Sequence, residues 1–278
     1  GRSYSAVPAR GIELILQRPQ PIIGNMLFQA ASWVRLLLLS SVAWQVLAAP
    51  SAHQPDTGNR ILEEEGLFEG DIQLPEGISE DRATVPEKAK LWPNGAIPYS
   101  IHRSSAGEAG AIRRAMASIE AVSCLRFVNR RKEDADYLLI YRGPVCSSFI
   151  GRQGGRQKLS LGAGCYDRST IVHELMHAAG FFHEHTRSDR DEYVDIFEEN
   201  VKEGKMHNFN KLQPRQNRLI TGFDTQSVML YGSKSFSRAP GLLTMLTKDG
   251  KRLPEVYNKK GLSSNDARRI RILYKCAK

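Results

Sequence analysis

Apolar positions fall into helix-spaced stripes and short strand-length runs, separated by Gly, Pro and Asn punctuation. Ile112, Met116, Ile119 and Val122 share one face, so a helix packs them into the core. Ile97–Ile101, opened by the turn Pro93-Asn94-Gly95, reads as a strand, as do Tyr137–Tyr141 and Leu159–Leu161. Gly151–Gly155 reads as a turn between strands; no G-K-[ST] ending follows, so it is not a phosphate loop. Asp195–Val201 reads as a short helix, and Ser227–Gly232 as a tight apolar turn. Ser263-x-x-Asp266 caps a last helix with Ile270, Leu273 and Tyr274 on one side.

The densest stretch runs from Thr170 to Tyr193. Ile171, Val172, Leu175, Met176, Ala178 and Ala179 make its first part a buried helix. Set among them are His173, Glu174, His177, Gly180 and His183, spaced H-E-x-x-H-x-x-G-x-x-H. Residues four apart stack on one helix face, so His173 and His177 reach one ion. Glu174 then reaches a water on that ion without binding it. A continued helix would carry His183 through roughly 600° and about 9 Å, away from the metal. Gly180 tolerates the left-handed conformation that ends a helix and turns His183 back. Three imidazoles leave a coordination position open, as catalytic zinc requires.

The leading part of the chain changes the picture from a lone domain to a processed one. Residues 1–25 precede the first methionine, Met26, and read as upstream read-through. Arg35, the apolar run from Leu36 to Leu47 and the small pair Ala48-Ala49 read as a secretory signal over 26–49. A membrane anchor is the alternative, though the apolar run is short for a span. Residues 50–82 hold two basic and nine acidic side chains, net −7; residues 83–278 hold 33 basic and 20 acidic, net +13. An acidic leader ahead of a basic domain is complementary in charge to it. Arg82-Ala83 reads as the processing boundary. The four cysteines Cys124, Cys146, Cys165 and Cys276 allow three pairings, and with export they read as two disulfides.

The metal motif with its extension Glu184, Arg187, Asp189-Arg190-Asp191 and Tyr193 resembles the metzincin clan and, within it, the astacin family of zinc endopeptidases. Leu91-Trp92-Pro93, Gly151-Arg152 and Ser227-Val228-Met229 are similar to astacin segments, and the likeness covers about Ala83 to Cys276. It implies an α+β, two-lobed catalytic domain. Its N-terminal lobe has a twisted, mostly antiparallel-edged sheet, with the active-site helix among two helices; its irregular C-terminal lobe ends in a helix. Substrate would lie along the sheet edge near Leu159–Leu161. The resemblance further implies zinc on His173, His177 and His183, with Glu174 as general base. Met229 would floor the site, and Tyr231 would be a zinc ligand that swings to stabilise the oxyanion. Leu230 stands where many astacins have His.

It also implies that Glu184 receives the new N-terminus near Ala83 through water. Phe68-Glu69-Gly70-Asp71 looks like the pro-segment motif whose Asp blocks the zinc, so Asp71 is the expected inhibitory ligand. The implied disulfides are Cys124–Cys276 and Cys146–Cys165, worth roughly 5 and 3 kcal/mol on the chain-entropy account. The expected partners are protein or peptide substrates, the chain's own pro-segment and an activating protease, in a secreted setting. A catalytically dead zinc module would lack Glu174. Nucleic-acid binding finds only scattered Lys and Arg, and no membrane partner is expected.

Overall fold

The computed structural model describes residues 63, 66–76, 91–214 and 218–277. The expected read-through, the signal and the Arg82-Ala83 boundary lie outside the described residues. Strands β1 (Ile72–Gln73), β2 (Ala96–Ile101), β3 (Arg126–Asn129), β4 (Tyr137–Tyr141), β5 (Ser148–Phe149), β6 (Arg156–Ser160), β7 (Val194–Ile196) and β8 (Met245–Thr247) alternate with helices α1 (Ala109–Glu120), α2 (Arg168–Ala178) and α3 (Ser264–Leu273).

Strands β3-β2-β4-β6 form one sheet, and every pairing in it is parallel. At this sheet, among the described residues, the antiparallel edge that was expected is a single bridge, Ser147 with Ser160. Inward Ile97, Tyr99, Leu138, Ile140 and Leu159 meet Ile112, Met116 and Ile119 of α1 and Ile171, Val172 and Leu175 of α2 in one core. Helix α1 stops before Val122, which is 36% exposed rather than the fourth member of the stripe. The segment read as a helix at Asp195–Val201 is instead the end of β7, paired antiparallel to β8, followed by a 3-10 turn at Glu198–Asn200. Cross-strand pairing and a tertiary partner override a weak local pattern there.

The second lobe, after α2, is mostly turns and ends in α3. A capping box opens that helix: Ser263 Oγ accepts from the Asp266 amide, and the Asp266 carboxylate accepts from the Ser263 amide. Disulfides join Cys124 to Cys276 and Cys146 to Cys165. The first ties the end of α3 back to the loop before β3.

Candidate active site

Helix α2 is built to end where the metal motif needs it to. Asp167 Oδ1 accepts from the Thr170 amide at the start. At the other end Gly180 has φ +107°, Gly180 N–H donates to His177 O, and Phe181 N–H donates to Met176 O. That paired closure is a Schellman motif, which terminates a helix through a left-handed residue. Trp92 Nε1–H donates to Ala178 O at 2.8 Å and satisfies another terminal carbonyl. The chain then doubles back, and His183 arrives beside His173 and His177.

The three imidazoles converge. His173 Nε2 is 3.1 Å from both His177 Nε2 and His183 Nε2. Each ring's outer nitrogen has an acceptor: Val228 O for His173 at 2.8 Å, Phe181 O for His177 at 2.7 Å, Glu69 Oε2 for His183 at 2.6 Å. Those bonds fix Nδ1 as the protonated nitrogen and point three Nε2 lone pairs at one centre. Asp71 completes the set, with Oδ2 3.1 Å from His173 and Oδ1 3.2 and 3.3 Å from His177 and His183. Three lone pairs and a carboxylate repel one another unless a cation sits among them. Zinc–nitrogen bonds of about 2.0–2.1 Å in a tetrahedron put nitrogens roughly 3.4 Å apart, close to what is found. The donor set therefore fits zinc, and all four residues are buried.

Electrostatics agree with a cation site. Burial works against the Asp71 charge, yet His183, His177 and His173 hold its carboxyl well below the usual range. Burial pushes the His173 imidazole down to about 4. Burial also opposes charge on His183, but Asp71 and Glu69 hold it up to about 9. A proton there and a metal ion are alternatives, and the same two anions favour either. Glu174 is buried, with both oxygens unpartnered among the described residues. Burial, then the Asp71 charge, pushes its carboxyl well up. Both suit a group that exchanges a proton.

The floor is the turn Ser227–Leu230, and all four of its carbonyls are accounted for. Lys259 Nζ donates to Ser227 O at 2.6 Å and to Leu230 O. His173 takes Val228 O, and the Glu184 amide donates to Met229 O. Asp266 accepts from Ser227 Oγ and the Val228 amide, so the cap of α3 also anchors this turn. Met229 and Leu230 are buried in the core. Tyr231 follows, its hydroxyl 2.7 Å from Asp71 Oδ2 and 3.0 Å from Glu69 O. Its ring stacks on His185 at 4.8 Å. Burial and the Asp71 charge push the phenol well above its usual value.

Among the described residues, Glu184 is held by guanidinium groups and a main-chain amide. Arg269 grips it with two bonds of 2.7 and 2.6 Å, Arg187 adds one at 3.2 Å, and the Asp224 amide adds one at 2.8 Å. A cavity of about 70 Å³ lies alongside, lined in part by Leu91, Phe182, Leu212 and Ile220. Ala83 lies outside the described residues. Sequence reasoning missed Arg269, Lys259, His185 and Glu69. Only Glu69, next to Gly70-Asp71, carried a local signal.

The extended segment beside the centre also corrects the expected edge. Strand β1 pairs in parallel with β5, Ile72 opposite Ser148 and Gln73 opposite Phe149. Ser148 N–H donates to Asp71 O, and Gln73 Nε2 to Ser147. The strand that pairs with the Asp71 segment is thus β5. Leu159 and Leu161 are buried, and Ser160 is already taken by Ser147.

A glycine-broken helix presenting three imidazoles, with a free carboxylate beside them, defines a zinc hydrolase. The sequence pattern of astacin, which defines a peptidase family, matches residues 84–275. Over 215 residues the chain is 41% identical to astacin-like metalloprotease toxin 1 of Loxosceles intermedia, spanning 76% of this chain and 81% of that protein. It is 37% identical to zinc metalloproteinase nas-14 of Caenorhabditis elegans, but spans only 46% of it. Among solved structures, high choriolytic enzyme 1, a hatching-enzyme zinc protease of Oryzias latipes, superposes with TM-score 0.63 at 38% identity, over 68% of this chain and 96% of that one. The chain belongs to the astacin family. It is a zinc metalloendopeptidase.

Proposed function

We propose that the chain is a secreted endopeptidase held latent by its own leader. The observation that carries this is the Asp71 carboxylate, 3.1–3.3 Å from all three imidazole nitrogens. A carboxylate there takes the position that water needs. The leader also fills the strand position on β5, where a peptide would add by main-chain hydrogen bonds. Two disulfides accord with an extracellular setting.

Once the leader leaves, the residues divide the work. His173, His177 and His183 would hold a zinc ion, whose chemistry there would be Lewis-acid activation of a water and of the scissile carbonyl. Glu174 takes the proton of the attacking water and later delivers it to the leaving amine. Tyr231, freed from Asp71, donates its hydroxyl to the oxygen that gains charge. Glu184 would meet the new terminus from the cavity beside it, where Arg269 and Arg187 already neutralise its charge. Cleavage near Arg82-Ala83 by another protease starts the sequence.

The test is casein hydrolysis by the intact chain and by its Asp71→Ala variant. The variant should digest casein without processing, and chelation or Glu174→Gln should abolish that. An Asp71→Ala chain that remains as inert as the unaltered one would refute the latch.

A further inference from the structure

We propose that Glu69 is a second grip of the latch, acting on the metal site from behind: its carboxylate holds the outer nitrogen of His183, so the latent chain retains zinc more firmly than the processed enzyme. The inference rests on the Asp71 reading above and extends it to a residue with no direct place on the metal.

The three imidazoles are not supported alike. His173 and His177 lean on backbone carbonyls of Val228 and Phe181, which belong to the catalytic part and stay with it. His183 leans on Glu69 Oε2 at 2.6 Å, a carboxylate 114 residues earlier in the chain. A charged acceptor behind a ligating imidazole raises its basicity and fixes its ring, and such partners typically change metal affinity 10–100-fold. One ligand of three therefore draws its support from a segment that leaves.

The backbone is shaped for this. Phe68 and Ile72 exchange two main-chain bonds of 3.0 and 2.9 Å, closing a tight loop over Glu69, Gly70 and Asp71. Both residues at its tip have positive φ, +51° for Glu69 and +93° for Gly70. Glycine adopts that conformation freely, whereas glutamate is held there against its preference. The result is reach: Asp71 meets the inner faces of the rings while Glu69 passes to the outer side of His183. Glu69 is 2% exposed and Asp71 fully buried. Glu69 Oε1 has no partner among the described residues, so the His183 contact is the bond its carboxylate makes. Tyr231 additionally takes the Glu69 carbonyl, pinning the loop at the same residue.

The experiment uses the full-length chain in a Glu174→Gln background, which prevents self-processing. Zinc retention is read by competition with a chelator for the parent, Glu69→Gln and Glu69→Asp. Glutamine keeps the shape and loses the charge; aspartate keeps the charge and loses the reach. Each should release zinc roughly 10-fold more readily, while zinc-stripped forms melt together with the parent. With Glu174 restored, Glu69→Gln should also leak caseinolytic activity. Retention equal to the parent in both variants overturns the inference, as does faster release matched by an equal drop in melting of the stripped form. Asp71→Ala in the same series separates the two ideas: if it leaks and the Glu69 variants hold zinc unchanged, the Asp71 latch stands and the Glu69 grip falls.

Discussion

The Tyr231 hydroxyl lies 2.7 Å from Asp71 Oδ2, a contact that ties the proposed oxyanion donor to the proposed inhibitor. On the reading proposed above, this one short contact would withhold two functions at once, Asp71 by taking the position left open on a metal held by the three imidazoles and Tyr231 by bonding to Asp71, and loss of the leader would restore both.

Tyr231→Phe removes that donor while leaving the stacking on His185 in place. Loss of one oxyanion donor costs about 10²–10³ in kcat. Steady-state kinetics on the processed enzyme should show a fall of that order in kcat with little change in KM. A change confined to KM would place Tyr231 in ground-state binding instead.

Gly180→Ala places a β-carbon at φ +107°, a conformation that L side chains rarely adopt. The Schellman closure loosens, and His183 depends on it for its direction. Melting should drop by an amount corresponding to about 1–2 kcal/mol, with zinc bound more weakly in a chelator titration. Unchanged zinc affinity would mean that His183 is directed by something other than this turn.

Lys259 supplies a pH signature at the turn Ser227–Leu230. The residue is partly buried with its ammonium donating to Ser227 O and Leu230 O, and burial pulls its pKa down to about 8 from the ordinary 10.5, against the pull of Asp266, Glu255, Asp224 and Glu184. Between those values the unfolded chain binds more protons than the folded one, so this residue makes stability rise with pH from about 8 to 10.5. Below that window it is charged in both states. Denaturant unfolding should show the parent gaining on Lys259→Met across that window. A difference that stays flat with pH contradicts an enclosed ammonium at Ser227 and Leu230.

Glu184 and Arg269 form a buried, two-pronged pair. Breaking such a pair from one side leaves an uncompensated charge, at about 3–5 kcal/mol. Arg269→Met should destabilise the chain by that order in equilibrium unfolding, and Glu184→Gln with Arg269→Met should recover part of it. Additive losses would show the two residues to be uncoupled.

Much of the site was legible because its chemistry sits in one local run. Helix geometry alone stacks His173 and His177, and Gly180 is legible as the left-handed break that brings His183 back to them. The strands carrying Ile97, Leu138 and Ile140 were legible because their apolar runs match strand lengths. What was not legible depends on distance in sequence. Arg269 reaches Glu184 across 85 residues, Lys259 reaches Leu230 across 29, and Glu69 reaches His183 across 114. No periodicity reports such contacts. Asp195–Val201 failed for a related reason: its pairing partner, Met245–Thr247, lies some fifty residues on. Strand β5 is two residues long, too short for a pattern, yet it pairs with the segment that carries Asp71.

Zinc-edge X-ray absorption on the intact chain tests the centre of the account. The expected first shell has three imidazole nitrogens and carboxylate oxygen, and Asp71→Ala should keep the three nitrogens while losing the carboxylate. Fewer than three imidazoles, or a spectrum that Asp71→Ala leaves unaltered, would contradict it.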